Sequence, residues 1–242
     1  MNRPFTLPMP PISVSGMLMF GNLQRFVILI LLCCTCTTYV HAANYTKVSF
    51  PKGIFVEIPM GWSVASPSLK QQMRIAVEAT AEFSGYVLPP GQNHVLLYAR
   101  SLPEESFASV TLNLDTPASF SQQQVLTATA YDLAAYTAKT RPMFEKLLSA
   151  QNEKIVSFAD VRRILVQNYP ALVTEYTRTG IKGPVKVQII QVVMPENDVS
   201  ITLSYRISEG SLWVPIIEKI RSTFKVTSEQ SVSDFGFHKL EN

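Results

Sequence analysis

The side chains that could carry out chemistry are few, and they lie far apart in the sequence. Histidine occurs only at positions 41, 94 and 238, whereas a protein metal site usually gathers several His, Cys or carboxylate ligands in one cluster. Serine catalysis needs a base beside its nucleophile, and no G-x-S-x-G turn is present. The acidic pair Glu104–Glu105 falls in a segment with the composition of a solvated turn. We therefore predict no catalytic residue, no cofactor site and no metal site.

Three other residues are candidates for an interaction surface, namely Trp62, Arg162 and Arg163. Trp and Arg are enriched among the side chains that anchor protein interfaces, and the arginine doublet could receive an acidic partner. Each candidate also has a structural interpretation, which the sequence favours. Trp62 would close the turn that begins at Pro59, and the two arginines would lie on a solvated strand edge.

The elements that would position these residues begin after a segment with the pattern of a secretory signal peptide. Arg25 precedes the apolar run 26–34, and Ala42 ends a small-residue cleavage motif. A membrane span needs about 20 apolar residues, so this run is short for one. We predict a signal peptide over residues 1–42, with translation starting at Met1 or, more conventionally, at Met17 or Met19. An uncleaved or lipidated anchor is the alternative.

Cleavage after Ala42 changes the chemistry of the remaining chain. It removes all three cysteines, which occur at positions 33, 34 and 36. It also reduces the formal net charge of +3, because 19 basic residues then face 18 acidic ones. A nearly neutral surface excludes nucleic acid as an expected partner. We expect a periplasmic or secreted protein without stable membrane insertion.

The pattern after residue 43 predicts a mixed α+β domain. Alternating apolar residues predict strands at Ile54–Ile58, Val95–Arg100 and Ala108–Leu114. Ser66 and Pro67 have the types that begin a helix. The motif at Ser121 predicts a capping box before a second, long helix.

The C-terminal third has the clearest pattern. It predicts a three-stranded antiparallel meander over Ala171–Thr179, Val185–Met194 and Val199–Ile207. We expect Pro142 to break or kink the preceding long helix, and Ser211 to cap a final one. The prediction is an antiparallel sheet of about six strands packed with two to three helices. It forms a single domain over residues 43–226, followed by a flexible tail over 227–242.

Residues at both ends of this domain resemble the PsbP-like and DcrB-like domain family. The similar segments are Phe50–Trp62, Tyr176 in its strand, Trp213–Ile220 and Ser222–Val226, and the resemblance spans about Lys47 to Val226. It implies an α-β-α sandwich with an antiparallel sheet. It also implies a function in binding protein partners, because the family shares no catalytic motif.

The leading functional hypothesis is therefore an exported, non-enzymatic protein that binds a protein partner in the cell envelope, of the immunity or chaperone type. A carboxylate-dependent hydrolase is one alternative, and it predicts a pocket with two carboxylates about 5–10 Å apart. A carrier of a small apolar ligand is the other, and it predicts a sizeable apolar cavity between helix and sheet.

Overall fold

The computed structural model describes residues 44–83, 93–103 and 105–227. These residues form four α-helices, which are α1 (Pro67–Phe83), α2 (Gln122–Thr127), α3 (Ala130–Ser149) and α4 (Gly210–Thr223). They also form eleven strands, which are β1 (Tyr45–Phe50), β2 (Ile54–Pro59), β3 (Ser63–Val64), β4 (Asn93–Arg100), β5 (Ala108–Asp115), β6 (Ile155–Phe158), β7 (Arg162–Val166), β8 (Tyr169–Arg178), β9 (Val185–Val193), β10 (Asp198–Arg206) and β11 (Lys225–Val226). A 3-10 helix over Ile207–Glu209 leads into α4.

The strands form two antiparallel sheets. The small sheet has the order β1-β2-β11. The large sheet has the order β3-β4-β5-β10-β9-β8-β6, and β7 pairs with β8 beside β6. The predicted meander is its centre, since β9 pairs with both β8 and β10.

Both faces of the large sheet are buried, by different elements. Val192 belongs to a core cluster that contains Ile54 of β2 and Trp213 of α4. Its neighbour Val193 belongs to a second cluster, with Val125 of α2. Successive residues of a strand point to opposite faces, so the small sheet and α4 cover one face while α2 and α3 cover the other.

This arrangement confirms the α+β class and the antiparallel sheet. The count of about six strands is too low for the described residues, because β3 and β11 have two residues each and pair at edges. Strands this short show no period-2 alternation in the sequence. The predicted signal peptide and residues 228–242 of the predicted tail lie outside the described residues, and the domain boundaries remain predictions.

The helix starts were predicted in part. The hydroxyl of Ser66 accepts a hydrogen bond from the N–H of Leu69 over 3.2 Å, and Pro67 begins α1. The capping box at Ser121 is also present, but it begins a helix of only six residues. The break lies at Ala128–Thr129, and Pro142 is inside the continuous helix α3. The predicted break at Pro142 is therefore wrong, because a second set of capping groups ends the first helix earlier.

Ser211 does not cap the final helix. The N-cap residue of α4 is Glu209, which makes no side-chain capping bond. The 3-10 helix passes directly into α4, so Ser211 lies inside the first turn. The carboxylate of Glu209 instead accepts hydrogen bonds from Trp213 Nε1 at 2.9 Å and from the backbone N–H of Phe107 at 2.9 Å.

Candidate functional site

Two capping boxes in close succession produce a sharp bend between α2 and α3. Ser121 Oγ accepts from the N–H of Gln124 at 3.2 Å, and Gln124 Oε1 accepts from the N–H of Ser121 at 2.7 Å. Thr129 and Asp132 repeat this exchange at 3.2 and 2.9 Å. Hydrogen bonds from the N–H and hydroxyl of Thr129 also lower the pKa of Asp132. Because each box satisfies the free N–H groups of a helix start, the chain begins a new helix at Ala130.

Arg163 joins this bend to the large sheet. Its Nη1 donates to the carbonyl oxygens of Val125 at 3.2 Å and Ala128 at 3.4 Å, and also to that of Leu126. The last carbonyls of a helix have no partner within the helix, and a cation there is favoured by the helix dipole. Arg163 therefore completes the C-terminal end of α2.

A cleft of about 450 Å³ opens between α2, α3 and the sheet. Its lining is mostly apolar, and the side chains are those of Phe120, Val125, Ala128, Leu133, Ala135, Tyr136 and Leu172. The polar lining residues are Gln124, Thr127, Asp132 and Lys139. The volume lies in the range of about 300–1,000 Å³ that is typical of ligand pockets. We take this cleft, named the α2–α3 cleft below, as the candidate site.

Aromatic packing holds one wall of the α2–α3 cleft in place. The rings of Phe120 and Tyr136 meet edge to face, with centroids 5.5 Å apart. Burial raises the pKa of Tyr136, against the lowering effect of a hydrogen bond with Thr140. Tyr136 is therefore a neutral wall residue at physiological pH, and the cleft offers an apolar surface that suits an apolar group.

Apolar surface continues beyond the mouth of the cleft. Leu126, between two lining residues in the sequence, is 45% exposed, and Tyr131, next to the lining residue Asp132, is 81% exposed. Lys139 is exposed at the same site. Exposed apolar groups with a polar rim are typical of sites that bind another molecule.

The three predicted interaction residues do not form one surface. Trp62 precedes β3, at one edge of the large sheet, whereas Arg162 and Arg163 lie in β7 at the opposite edge. Trp62 is half-buried and meets Trp213 edge to face at 5.9 Å, which fits its structural interpretation. Arg162 pairs with Glu175 at 2.6 Å. Only Arg163 contacts the candidate site, through the α2 carbonyls.

The other residues considered from the sequence lie apart from the cleft. His94 is exposed in β4, whereas His238 and Glu104 lie outside the described residues. Glu105 is exposed, and its carbonyl accepts a hydrogen bond from Arg206 Nη1 at 2.7 Å. Over residues 44–83, 93–103 and 105–227, no group of three His, Cys, Asp or Glu side chains could hold a metal ion.

Sequence reasoning missed the residues that build the cleft. The signal for the bend is present, because Thr129 and Asp132 have the spacing of a capping box. It is hidden by apolar residues that continue through it from Val125 to Tyr136 and suggest a single helix. The lining contributed by Leu172 comes from a strand about 40 residues away, and no local pattern predicts it.

Comparisons with known proteins give structural neighbours only. No known family profile matches the chain, and no curated protein sequence matches it. Its structural neighbours include the solution structure of cyanobacterial PsbP (CyanoP) from Synechocystis sp. PCC 6803, with a TM-score of 0.49, 12% identity, and coverage of 78% of this chain and 96% of that one. They also include LpqN, involved in cell envelope biogenesis of Mycobacterium tuberculosis, with a TM-score of 0.41, 11% identity, and coverage of 77% and 92%. The resemblance to PsbP-like proteins is confirmed in that a PsbP structure is among these neighbours.

Among the described helices, none is both long and apolar enough to cross a membrane.

Proposed function

We propose that this chain is an exported, non-enzymatic binding domain of the periplasm or envelope, of the immunity or chaperone type. Its α2–α3 cleft receives an apolar side chain of a partner protein. The observation that carries the proposal is an apolar cleft of about 450 Å³ whose apolar surface continues outward through Leu126 and Tyr131. An anchor side chain filling a pocket, with weaker contacts around it, is the usual arrangement of a protein interface.

The charges at the mouth define the partner further. Lys139 lines the cleft, and none of its ion pairs lies within the described residues. Asp132 is committed to its capping bonds with Thr129. The available charge at the mouth is therefore positive, and it favours a partner segment that carries an acidic residue beside its apolar anchor.

A carrier of a small apolar ligand is the second candidate, and the volume of the cleft favours it. The two candidates differ in what Leu126 and Tyr131 do. A small ligand inside the cleft would leave both side chains exposed, whereas a protein partner would cover them. The hydrolase alternative needs two carboxylates in one pocket, and Asp132 is the single carboxylate that lines this cleft.

Site-specific photo-crosslinking in the native envelope distinguishes these possibilities. A photoreactive phenylalanine analogue replaces Tyr131, and in a control chain it replaces Val156, which is 59% exposed on β6. We expect a discrete protein adduct from position 131 and none from position 156. Equal labelling at both positions, or no protein adduct at position 131, would contradict the proposal. Binding of the neutral probe N-phenyl-1-naphthylamine without any adduct would support the carrier.

A further inference from the structure

A second cleft, of about 260 Å³, lies at one end of the large sheet and is rich in positive charge. Its charged lining residues are Arg100, Arg178, Lys182, Arg206 and Glu153. Glu209, which pairs with Arg206, is the nearby second carboxylate. Four cations against two carboxylates leave an excess of two positive charges in a chain that is otherwise almost neutral. None of its lining residues also lines the α2–α3 cleft.

The strand register places two of these arginines on the same face. Arg178 of β8 and Arg206 of β10 are both direct partners of Val185 in β9. Directly paired residues point to the same side of a sheet, and neighbouring strands are about 4.8 Å apart. The two arginines therefore flank Val185, about 10 Å apart at their Cα atoms, with space for a ligand between their guanidinium groups.

Fixed contacts hold both arginines in place. Arg206 Nη1 donates to the carbonyl of Glu105 at 2.7 Å and to Glu209. Arg178 Nη1 donates to the carbonyl of Thr179 at 3.2 Å and to Glu153. The side chains are thus preorganised, which reduces the entropy that a ligand must overcome on binding.

Two buried polar atoms in this cleft lack a hydrogen-bond partner. Arg206 is only 8% exposed, and its Nε is buried without an acceptor. Glu153 Oε2 is buried without a donor. Buried polar groups are nearly always paired, so an acceptor is missing at Arg206 and a donor is missing at Glu153. One molecule that carries both an anionic oxygen and a hydroxyl would satisfy the two atoms together.

We propose that this cleft binds a small hydroxyl-bearing anion, either a protonated phosphate or a hydroxycarboxylate. Arg178 and Arg206 hold the anionic oxygens. Glu153 accepts the hydroxyl proton as a hydrogen bond, and Lys182, exposed on the turn between β8 and β9, adds charge at the entrance. Guanidinium groups suit such ligands because they present several donors in a fixed plane. The site does not depend on the proposed function of the α2–α3 cleft.

Calorimetric titration of the exported protein at constant ionic strength tests the site. The probes are inorganic phosphate and citrate, which carry a hydroxyl, and sulfate, which carries none at neutral pH. We expect phosphate or citrate to bind, and sulfate to bind more weakly than phosphate. Binding by phosphate alone assigns a phosphate ligand, and binding by citrate alone assigns a hydroxycarboxylate. No binding by either, or sulfate binding as tightly as phosphate, would overturn the proposal.

Variants locate the site. Lys182→Gln should weaken binding about threefold, as expected for an exposed charge. The double variant Arg178→Gln with Glu153→Gln removes an ion pair without changing the net charge, and it should weaken binding about tenfold or more. Lys154→Gln is the matched control, since Lys154 is exposed nearby but does not line the cleft. A loss for Lys154→Gln equal to that for Lys182→Gln would refute the assignment, even if the double variant misfolds.

Discussion

Arg163 donates a hydrogen bond to the carbonyl of Val125 over 3.2 Å, and this contact connects β7 with the end of α2. The two residues are 38 positions apart in the sequence. Val125 is buried and lines the α2–α3 cleft. The bond therefore fixes the wall of the candidate site to the sheet.

Replacing Arg163 with glutamine should destabilise the protein by about 1 kcal/mol, the usual net contribution of such hydrogen bonds. The carbonyls at the end of α2 would then lose their donor and depend on water. The matched control is Arg162→Gln, which removes an exposed pair with Glu175 and should cost about 0.5 kcal/mol or less. Urea unfolding measures both values. A larger loss for Arg162→Gln would show that the arginines have the opposite roles.

Acid should destabilise the fold through Glu209. Burial alone would raise its pKa, but hydrogen bonds from Ser106, Trp213, the Phe107 N–H and Arg206 outweigh that effect and hold the pKa at about 2. The folded state then binds this proton less readily than the unfolded state, where the pKa is 4.5. The stabilisation is therefore complete above about pH 4.5 and is lost as the pH falls towards 2.

The variant Glu209→Gln tests this pH dependence. It should be less stable than the parent at pH 6, and the difference should shrink between pH 4.5 and pH 2. Urea unfolding followed by tryptophan fluorescence gives the free energy at each pH. A constant difference across this range would show that Glu209 does not titrate as described.

Trp62 should contribute to stability through its contact with Trp213. Edge-to-face aromatic pairs contribute about 0.5–1.5 kcal/mol beyond their buried area. A double-mutant cycle with Trp62→Leu and Trp213→Phe should therefore give a coupling energy of about 1 kcal/mol. Photo-crosslinking from position 131 should be unchanged in Trp62→Leu. Loss of the adduct together with a coupling energy near zero would return Trp62 to the list of interaction residues.

Export can be tested at the first residue of the mature protein. The apolar run 26–34 and the motif ending at Ala42 predict cleavage by signal peptidase, so N-terminal sequencing should begin at Ala43. Ala42→Leu should block processing because the site needs a small residue. A protein that retains residues 1–42 and stays with the membrane would instead support the anchor.

The regular part of this fold can be predicted from the sequence because its signals are local. The alternation in Val199, Ile201 and Leu203 identifies β10, and all three side chains are buried in the core. The Gly180–Pro184 segment marks the turn before β9. Such patterns depend on residues within one element, where backbone geometry sets the period.

The candidate sites are different because they depend on pairings across the chain. Ser106 donates to Glu209 at 2.7 Å although 103 positions separate them. Arg178 and Arg206 share a face only because β9 lies between their strands. In the sequence these residues look like isolated charges, and only strand order and register bring them together. Trp62, Arg162 and Arg163 were chosen by residue type, and type alone does not report such neighbours.

The most direct test of the central claim is to fill the α2–α3 cleft and measure binding of the crosslinked partner. Ala135 is exposed and lines the cleft, whereas its neighbour Ala134 is exposed and does not line it. Ala135→Trp should occupy the space of the anchor side chain and weaken the partner's Kd at least tenfold, and Ala134→Trp should leave it within about twofold, as expected for a pocket that carries most of the binding energy. Equal affinity of both variants and the parent would contradict the account.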